Sequence, residues 1–278
     1  MSVPDGFVFS QSSLQDYLDC PRRFELRYLD RLVWPAVTAE PAAELERHLA
    51  DGERFHLLVQ QYFAGVDPQI LDPLAERQGL GEWWTAFREH PVRDLPERRF
   101  VEVSLQTQVG RYRLAAKFDL LAFDADGRAV IVDWKTSRQR PLRNASMQRA
   151  QTLVYPLVLA DAGHALTGGD KLSPDRITMI YWFAAYPQQP EVLYYSQPQY
   201  EGDRQRLADL LAEIDARTVF DKTTDERHCR FCSYRSLCGR GTRAGDAAAF
   251  DIEALADEVP RMLSADEFDL DQLAGIDF

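Results

Sequence analysis

Three of the chain's four cysteines, Cys229, Cys232 and Cys238, fall in one run, "HCRFCSYRSLCGRG", and the fourth, Cys20, stands more than two hundred residues earlier. A C-x₂-C-x₅-C run is one soft ligand short of the four that zinc or an iron cluster takes. If Cys20 joins the run, both ends of the body must meet at one point and the site closes a ring around everything between. The amino terminus lacks a basic stretch followed by an apolar run, and no later segment has the length of a membrane span. The expected compartment is therefore the cytoplasm, with no membrane partner. Thiols stay reduced there, which favours metal ligation over two disulfides.

The surroundings of Cys20 suit that role. "SQSSLQDYLDCPRRFELRYL" predicts a helix capped by Ser12 or Ser13, with Gln15 or Asp16 completing a capping box and Leu14, Tyr17 and Leu18 as its apolar stripe. Pro21 fits the first position of a new turn, which leaves Cys20 at a helix junction. The net charge of −12 argues against a polyanionic partner until its distribution is examined. Residues 244–278 hold ten acidic residues and only Arg261 as a base, so most of the excess lies in this tail and the body is nearly neutral. The tail alternates carboxylates with Phe250, Leu255, Phe268 and Leu270, a pattern closer to a partner-binding segment than to a solvating one.

Between the cysteines the chain reads as helices, then strands, then mixed elements. "AELERHLADGERFHLLVQQYFAG" is a helical pattern that Gly52 should interrupt, and a helical insertion is expected over about 58–98, where Pro68, Pro73, Trp83, Trp84 and Pro96 cluster. Residues 98–137 read as three strands with turns at Gly110 and at "DADG". A helix over "SMQRAQTLVYPLVLADAG", two further strands and an amphipathic helix complete an α/β body.

The second strand turn carries the chemistry. With Gly127 left-handed in a three-residue loop, Asp124 pairs with Arg128 and the register sets Asp119 opposite Asp133. Alternation then places Lys135 on the face of Asp133 and Trp134 on the other, so that two carboxylates and an ammonium share one patch. Carboxylates in runs as apolar as "KFDLLAF" and "VIVDWK" are costly to bury, and two that face each other repel unless a cation lies between them. A hard divalent ion with oxygen ligands answers both problems. Glu102, in "VEVS", is read as an exposed strand residue and left out of the site.

Taken in order, "FSQSSLQDYLDCPRRF", "GERFH", "KFD", "VDWKTS", "QTLVY" and the final cysteine run resemble the PD-(D/E)XK nuclease superfamily, in its RecB-like branch with an iron–sulfur cluster, over residues 7 to about 241. The resemblance implies a restriction-endonuclease-like core in residues 1–243, a central mixed sheet flanked by helices, with residues 244–278 as the acidic tail. It implies that His56, Asp119 and Asp133 hold Mg²⁺ or Mn²⁺, that Lys135 assists the attacking water, and that Gln151 and Tyr155, one turn apart on a helix, contact DNA or order the site. It also implies that Cys20, Cys229, Cys232 and Cys238 ligate a [4Fe–4S] cluster acting as a clasp; taken alone, four thiolates suit zinc as well. Ala116 replaces a glycine common in the family, and Pro156 should kink the helix that bears Tyr155. The implied function is a metal-dependent DNA nuclease acting as an exonuclease on single strands or ends, in repair, recombination or CRISPR adaptation, with a helicase or adaptation protein as partner. The alternative is a non-catalytic DNA-binding or scaffold subunit. No Walker loop is present, so any ATP-driven partner is a separate chain.

Overall fold

In the computed structural model, which describes residues 3–34, 40–92, 94–137 and 149–241, six strands form one mixed sheet between two layers of helix. The order is β1 (Val8–Ser10), α1 (Gln11–Asp19), α2 (Pro21–Phe24), a π-helical turn (Glu25–Leu29), α3 (Glu40–Phe63), α4 (Pro68–Arg77), α5 (Gly81–Glu89), β2 (Arg98–Val109), β3 (Tyr112–Phe123), β4 (Ala129–Lys135), α6 (Ala150–Ala162), α7 (His164–Thr167), β5 (Ile177–Phe183), β6 (Glu191–Tyr194) and α8 (Gln197–Ala216). The acidic tail and most of the arginine-rich segment after Ser137 lie outside the described residues.

The long strand β3 organises the sheet. One of its edges pairs with β2 from end to end; the other is shared between β1, parallel at Arg113–Ala115, and β4, antiparallel at Leu120–Phe123. Beyond β4 come β5, parallel to it, and β6, antiparallel to β5. Gly110 and Gly127 have φ of +60° and +81°, left-handed values that the two tight turns require and that glycine adopts without strain. The mixed α/β architecture is that of a restriction-endonuclease-like core, as expected.

Alternation along the strands feeds two cores. On one face Phe118, Leu121, Ile131 and Tyr181 pack with α6 and α8 and with Leu14 and Tyr17 of α1. On the other, Leu120, Val130, Val132 and Trp182 pack with Phe55 and Leu58 of α3, Leu71 of α4, and Trp84 and Phe87 of α5. Within the stretch read as an insertion, residues up to Phe63 continue α3, and α4 and α5 cover this second face.

Three local expectations are corrected. The cap of α1 is Ser10, not Ser12 or Ser13: its hydroxyl accepts from the Ser13 N–H while the Ser13 hydroxyl accepts from the Ser10 N–H. Gln15 and Asp16 are thereby freed for other contacts, and Leu18, expected in the apolar stripe, is about half exposed. Pro21 does open the new turn, directly after Cys20. Gly52 does not interrupt its helix; α3 runs through it, and Gly52 is buried where an added β-carbon would lie 3.0 Å from the Thr136 hydroxyl, just past the end of β4. The glycine permits close approach of α3 to the sheet, one turn before His56. Pro156 is accommodated inside α6.

Gly52→Val should lower thermal stability by about 1–3 kcal/mol, since added methyls must push α3 away from β4. Removing the opposing hydroxyl with Thr136→Ala should recover part of the loss. An unchanged melting temperature in Gly52→Val would show that this contact carries no stability.

Candidate metal and catalytic site

The register of the β3–β4 hairpin is the one the turn predicts. Asp124 and Arg128 close the loop, the Asp124 N–H donating to the Arg128 carbonyl at 3.1 Å, and pairing runs from Phe123–Ala129 to Leu120–Val132. One more step sets Asp119 opposite Asp133, but there the ladder opens. The Asp119 carboxylate itself accepts the Trp134 N–H, at 2.9 Å.

The two carboxylates feel one another's charge, but they reach the site from different faces of the sheet. Phe118 and Leu121 belong to the α6 core while Leu120 and Ala122 belong to the α3 core, so alternation slips by one between Phe118 and Leu121. Asp119 therefore joins Leu120 on the α3 side. The neighbouring strand slips at the same level: Val103 packs on one core and Val101 on the other, with Glu102 between them at φ +52°. A left-handed glutamate inside a strand is strained, and such strain gathers at functional positions. Asp133 keeps the regular alternation of β4 and points to α6.

Two groups of side chains result. On the α3 side, His56 Nδ1 lies 3.3 Å from Asp119 Oδ1, and His56, Glu102 and Asp119 offer ligand atoms all within 4.8 Å of one another. This is the only such group of three among the described residues, and one nitrogen with two carboxylates suits Mg²⁺ or Mn²⁺. Glu102 also pairs with Lys117 Nζ at 3.0 Å. On the α6 side, Lys135 Nζ bonds Asp133 Oδ2 at 2.8 Å and donates to Gln151 Oε1 at 3.2 Å, while Gln151 Nε2 donates to Asp133 Oδ1 at 2.6 Å. The Tyr181 ring lies 5.5 Å from the ammonium. Tyr155, one turn beyond Gln151, forms the wall behind the site: it packs on Phe118 and its hydroxyl accepts from Gln11 at 3.3 Å.

The electrostatics differ between the groups. Burial works to lower the His56 pKa, but Asp119, Asp133 and Glu102 together outweigh it and lift it to about 9. For Asp119, burial is overcome by His56, the Trp134 N–H and Lys135, and the pKa falls. For Asp133, burial dominates, opposed by Lys135 and reinforced by Asp119, and the pKa rises to about 6. Without a metal, protonated His56 supplies the positive charge that the acids around it demand.

The sequence reading missed Glu102. A glutamate in a strand carries no mark of a left-handed backbone; the one available signal was its place opposite Asp119 in a hairpin that turns at Gly110.

The four cysteines, with Arg23 and Lys222, line one small cavity between the amino-terminal helices and the carboxy-terminal turn. The Thr223 N–H donates to Cys20 Sγ at 3.4 Å. Burial pushes the Cys232 thiol up to about 12, with Arg23 pulling against it. No three of the sulfurs lie within 4.8 Å of one another.

This sheet, opened where it gathers acids and a lysine, defines a nuclease-type core. The chain belongs to the PD-(D/E)XK nuclease superfamily, whose family model matches residues 8–239. Among solved structures it is similar to SSO0001, at 15% identity over 86% of this chain and 88% of that one with a TM-score of 0.39. It is also similar to a protein called "Putative exonuclease" from Eubacterium rectale, at 10% identity over 97% of this chain and 94% of that one with a TM-score of 0.49. No curated protein gives a sequence match. No helix among the described residues is long and apolar enough to cross a membrane.

The raised His56 pKa makes metal binding pH-dependent, because a ligating imidazole must first lose its proton. Apparent Mn²⁺ affinity should rise about tenfold per pH unit above neutrality and level off once pH passes the His56 pKa. In metal-free protein the His56–Asp119 pair should contribute stability that is full below the unfolded histidine pKa and lost as pH rises through about 9. Proton NMR of His56 and calorimetric Mn²⁺ titration check both; a His56 resonance titrating near the ordinary histidine value would refute them. Glu102→Gln should weaken Mn²⁺ binding, measured in the same titration.

Proposed function

We propose that the chain is a divalent-metal-dependent DNA nuclease of the RecB-like branch, an exonuclease acting on single strands or ends. The observation that carries this reading is the pairing of an open acidic group, His56, Glu102 and Asp119, with the buried Asp133–Lys135–Gln151 ring directly behind it. His56, Glu102 and Asp119 would hold Mg²⁺ or Mn²⁺, with Asp133 at the boundary between the groups. A bound ion there lowers the pKa of its water and offsets charge on the phosphoryl oxygens. Lys135 adds a fixed positive charge, oriented by Asp133 and Gln151, where the phosphodiester's charge builds. Gln151 holds both members of that pair at once.

The four cysteines are assigned a [4Fe–4S] cluster, supported by their shared cavity and its cationic lining. Repair, recombination or CRISPR adaptation is the setting this reading favours, with a helicase or adaptation protein as partner. The acidic tail is the segment offered to such a partner.

Anaerobically purified protein should hydrolyse end-labelled DNA with Mn²⁺ or Mg²⁺ and not with EDTA. Asp133→Asn or Lys135→Ala should reduce the rate by at least about a hundredfold without unfolding the chain. Undiminished cleavage by both variants would defeat the assignment, as would a wild-type protein inert on every DNA and RNA substrate.

The cysteine assignment has its own test. Fresh protein should be brown, with broad absorbance near about 400 nm, and Cys20→Ser should lose the colour as fully as Cys232→Ser. Colourless protein carrying stoichiometric zinc would reject the cluster.

A further inference from the structure

The two sites lie at opposite ends of α1, and side chains on that helix join them. Just beyond its far end, on α2, Arg23 lines the cysteine cavity, is 2% exposed, and is held by Asp16 at 2.8 Å and by Asp19 Oδ2 at 2.7 Å. The other oxygen of Asp19 accepts from Gln15 Nε2 at 2.9 Å. The remaining polar atom of Gln15, Oε1, accepts the backbone N–H of Ala150 at 3.0 Å. Ala150 is the first residue of α6 and 2% exposed, and Arg149 before it provides no side-chain cap. The next residue is Gln151, whose amide grips both Asp133 and Lys135.

We infer that Gln15 is a positioning residue for the nuclease site, capping α6 from another helix and tying the geometry of Gln151 to the cysteine cavity through Asp19 and Arg23. This rests on the nuclease reading for its effect on cleavage, though its structural part does not. The physical reason is the orphan donors of a helix start. The first N–H groups of α6 have no partner within the helix, and one that is buried must find an acceptor or the turn frays. Gln151 lies inside that turn. A loosened first turn moves the carboxamide that holds the Asp133 and Lys135 side chains, while the surface that meets DNA is untouched. The role belongs to Gln15 because its amide has both a donor and an acceptor, each already engaged in opposite directions.

The test uses the full chain as purified, in Gln15→Met, Asp19→Ala and the Gln15→Met/Asp19→Ala double variant, with Gln15→Glu/Asp19→Ala as the rescue. Amide hydrogen exchange is read in the first turn of α6, together with single-turnover cleavage, DNA dissociation constant and visible absorbance. Gln15→Met should speed exchange there and slow cleavage, each by about tenfold, the weight of one buried hydrogen bond. DNA affinity should stay within about twofold of wild type, the split expected of positioning rather than of a binding surface. Asp19→Ala should give a smaller effect of the same kind, and the double variant should be no worse than Gln15→Met, because Asp19 acts through Gln15. Gln15→Glu keeps the acceptor for Ala150 but would face the Asp19 carboxylate, so its rescue is read in the Asp19→Ala background, where slow exchange should return even if Gln15→Met folds poorly. The inference is overturned if Gln15→Met leaves exchange at wild-type values, if the double variant is additive, or if Gln15→Glu/Asp19→Ala is no better than Gln15→Met/Asp19→Ala. Should wild-type protein cleave nothing, the nuclease reading fails by itself and the exchange results alone decide the role of Gln15.

Discussion

The site depends on one irregularity in the sheet, the slip of alternation shared by β2 and β3 at Glu102 and Asp119. A regular pleat would have sent Asp119 and Asp133 to the same face, as two like charges in an apolar layer. The slip separates them across the opened end of the sheet and lets His56 approach one while Gln151 approaches the other. Because both strands slip at the same level, the pairing between β2 and β3 keeps one register from Arg98 to Val109. The strain is confined to a single left-handed residue, and the ladder on either side is intact.

That separation gives the two acids different work. Asp133 is nearly inaccessible, and its charge is tolerated because an ammonium and a carboxamide occupy both of its oxygens. Asp119 and Glu102 face partly outward, Asp119 beside His56 and within reach of the Lys135 charge, Glu102 beside Lys117. The inner group is therefore a finished, neutral-overall unit, and the outer group balances its two acids with a histidine proton that a cation can displace. Fixed charge inside and exchangeable charge outside is what a site needs if it is to bind a cation without rearranging its base.

Much of this was legible in the residues. Gly127 and the pairing of Asp124 with Arg128 announced the hairpin register, and the acids in otherwise apolar strands announced the site. The face on which Asp119 lies was not legible, since a slip in alternation depends on packing from α3 and not on the strand's own pattern. Gly52 shows the same limit: as a helix residue it predicts a break, and only the approach of Thr136 explains why a glycine stands inside a continuous helix. At Ser10 the competing caps were a matter of two or three residues, and the β-strand just before it decided the start. The cysteines converged from the two ends of the body, but the width of their spacing could not be read from intervals along the chain.

The aromatic packing at the amino-terminal end has a consequence for how the chain is made. Phe7, Phe9, Tyr17, Phe24 and Tyr28 pack together, and Phe220 stacks on Phe24 and meets the edge of Tyr17. β1 itself pairs with residues more than a hundred positions later. During synthesis these rings emerge first, yet their last partner emerges near the end of the body, so the earliest apolar surface waits longest for cover. A nascent chain stalled before Phe220 would carry a sticky aromatic face, the kind of surface that chaperones bind and that truncated products aggregate through.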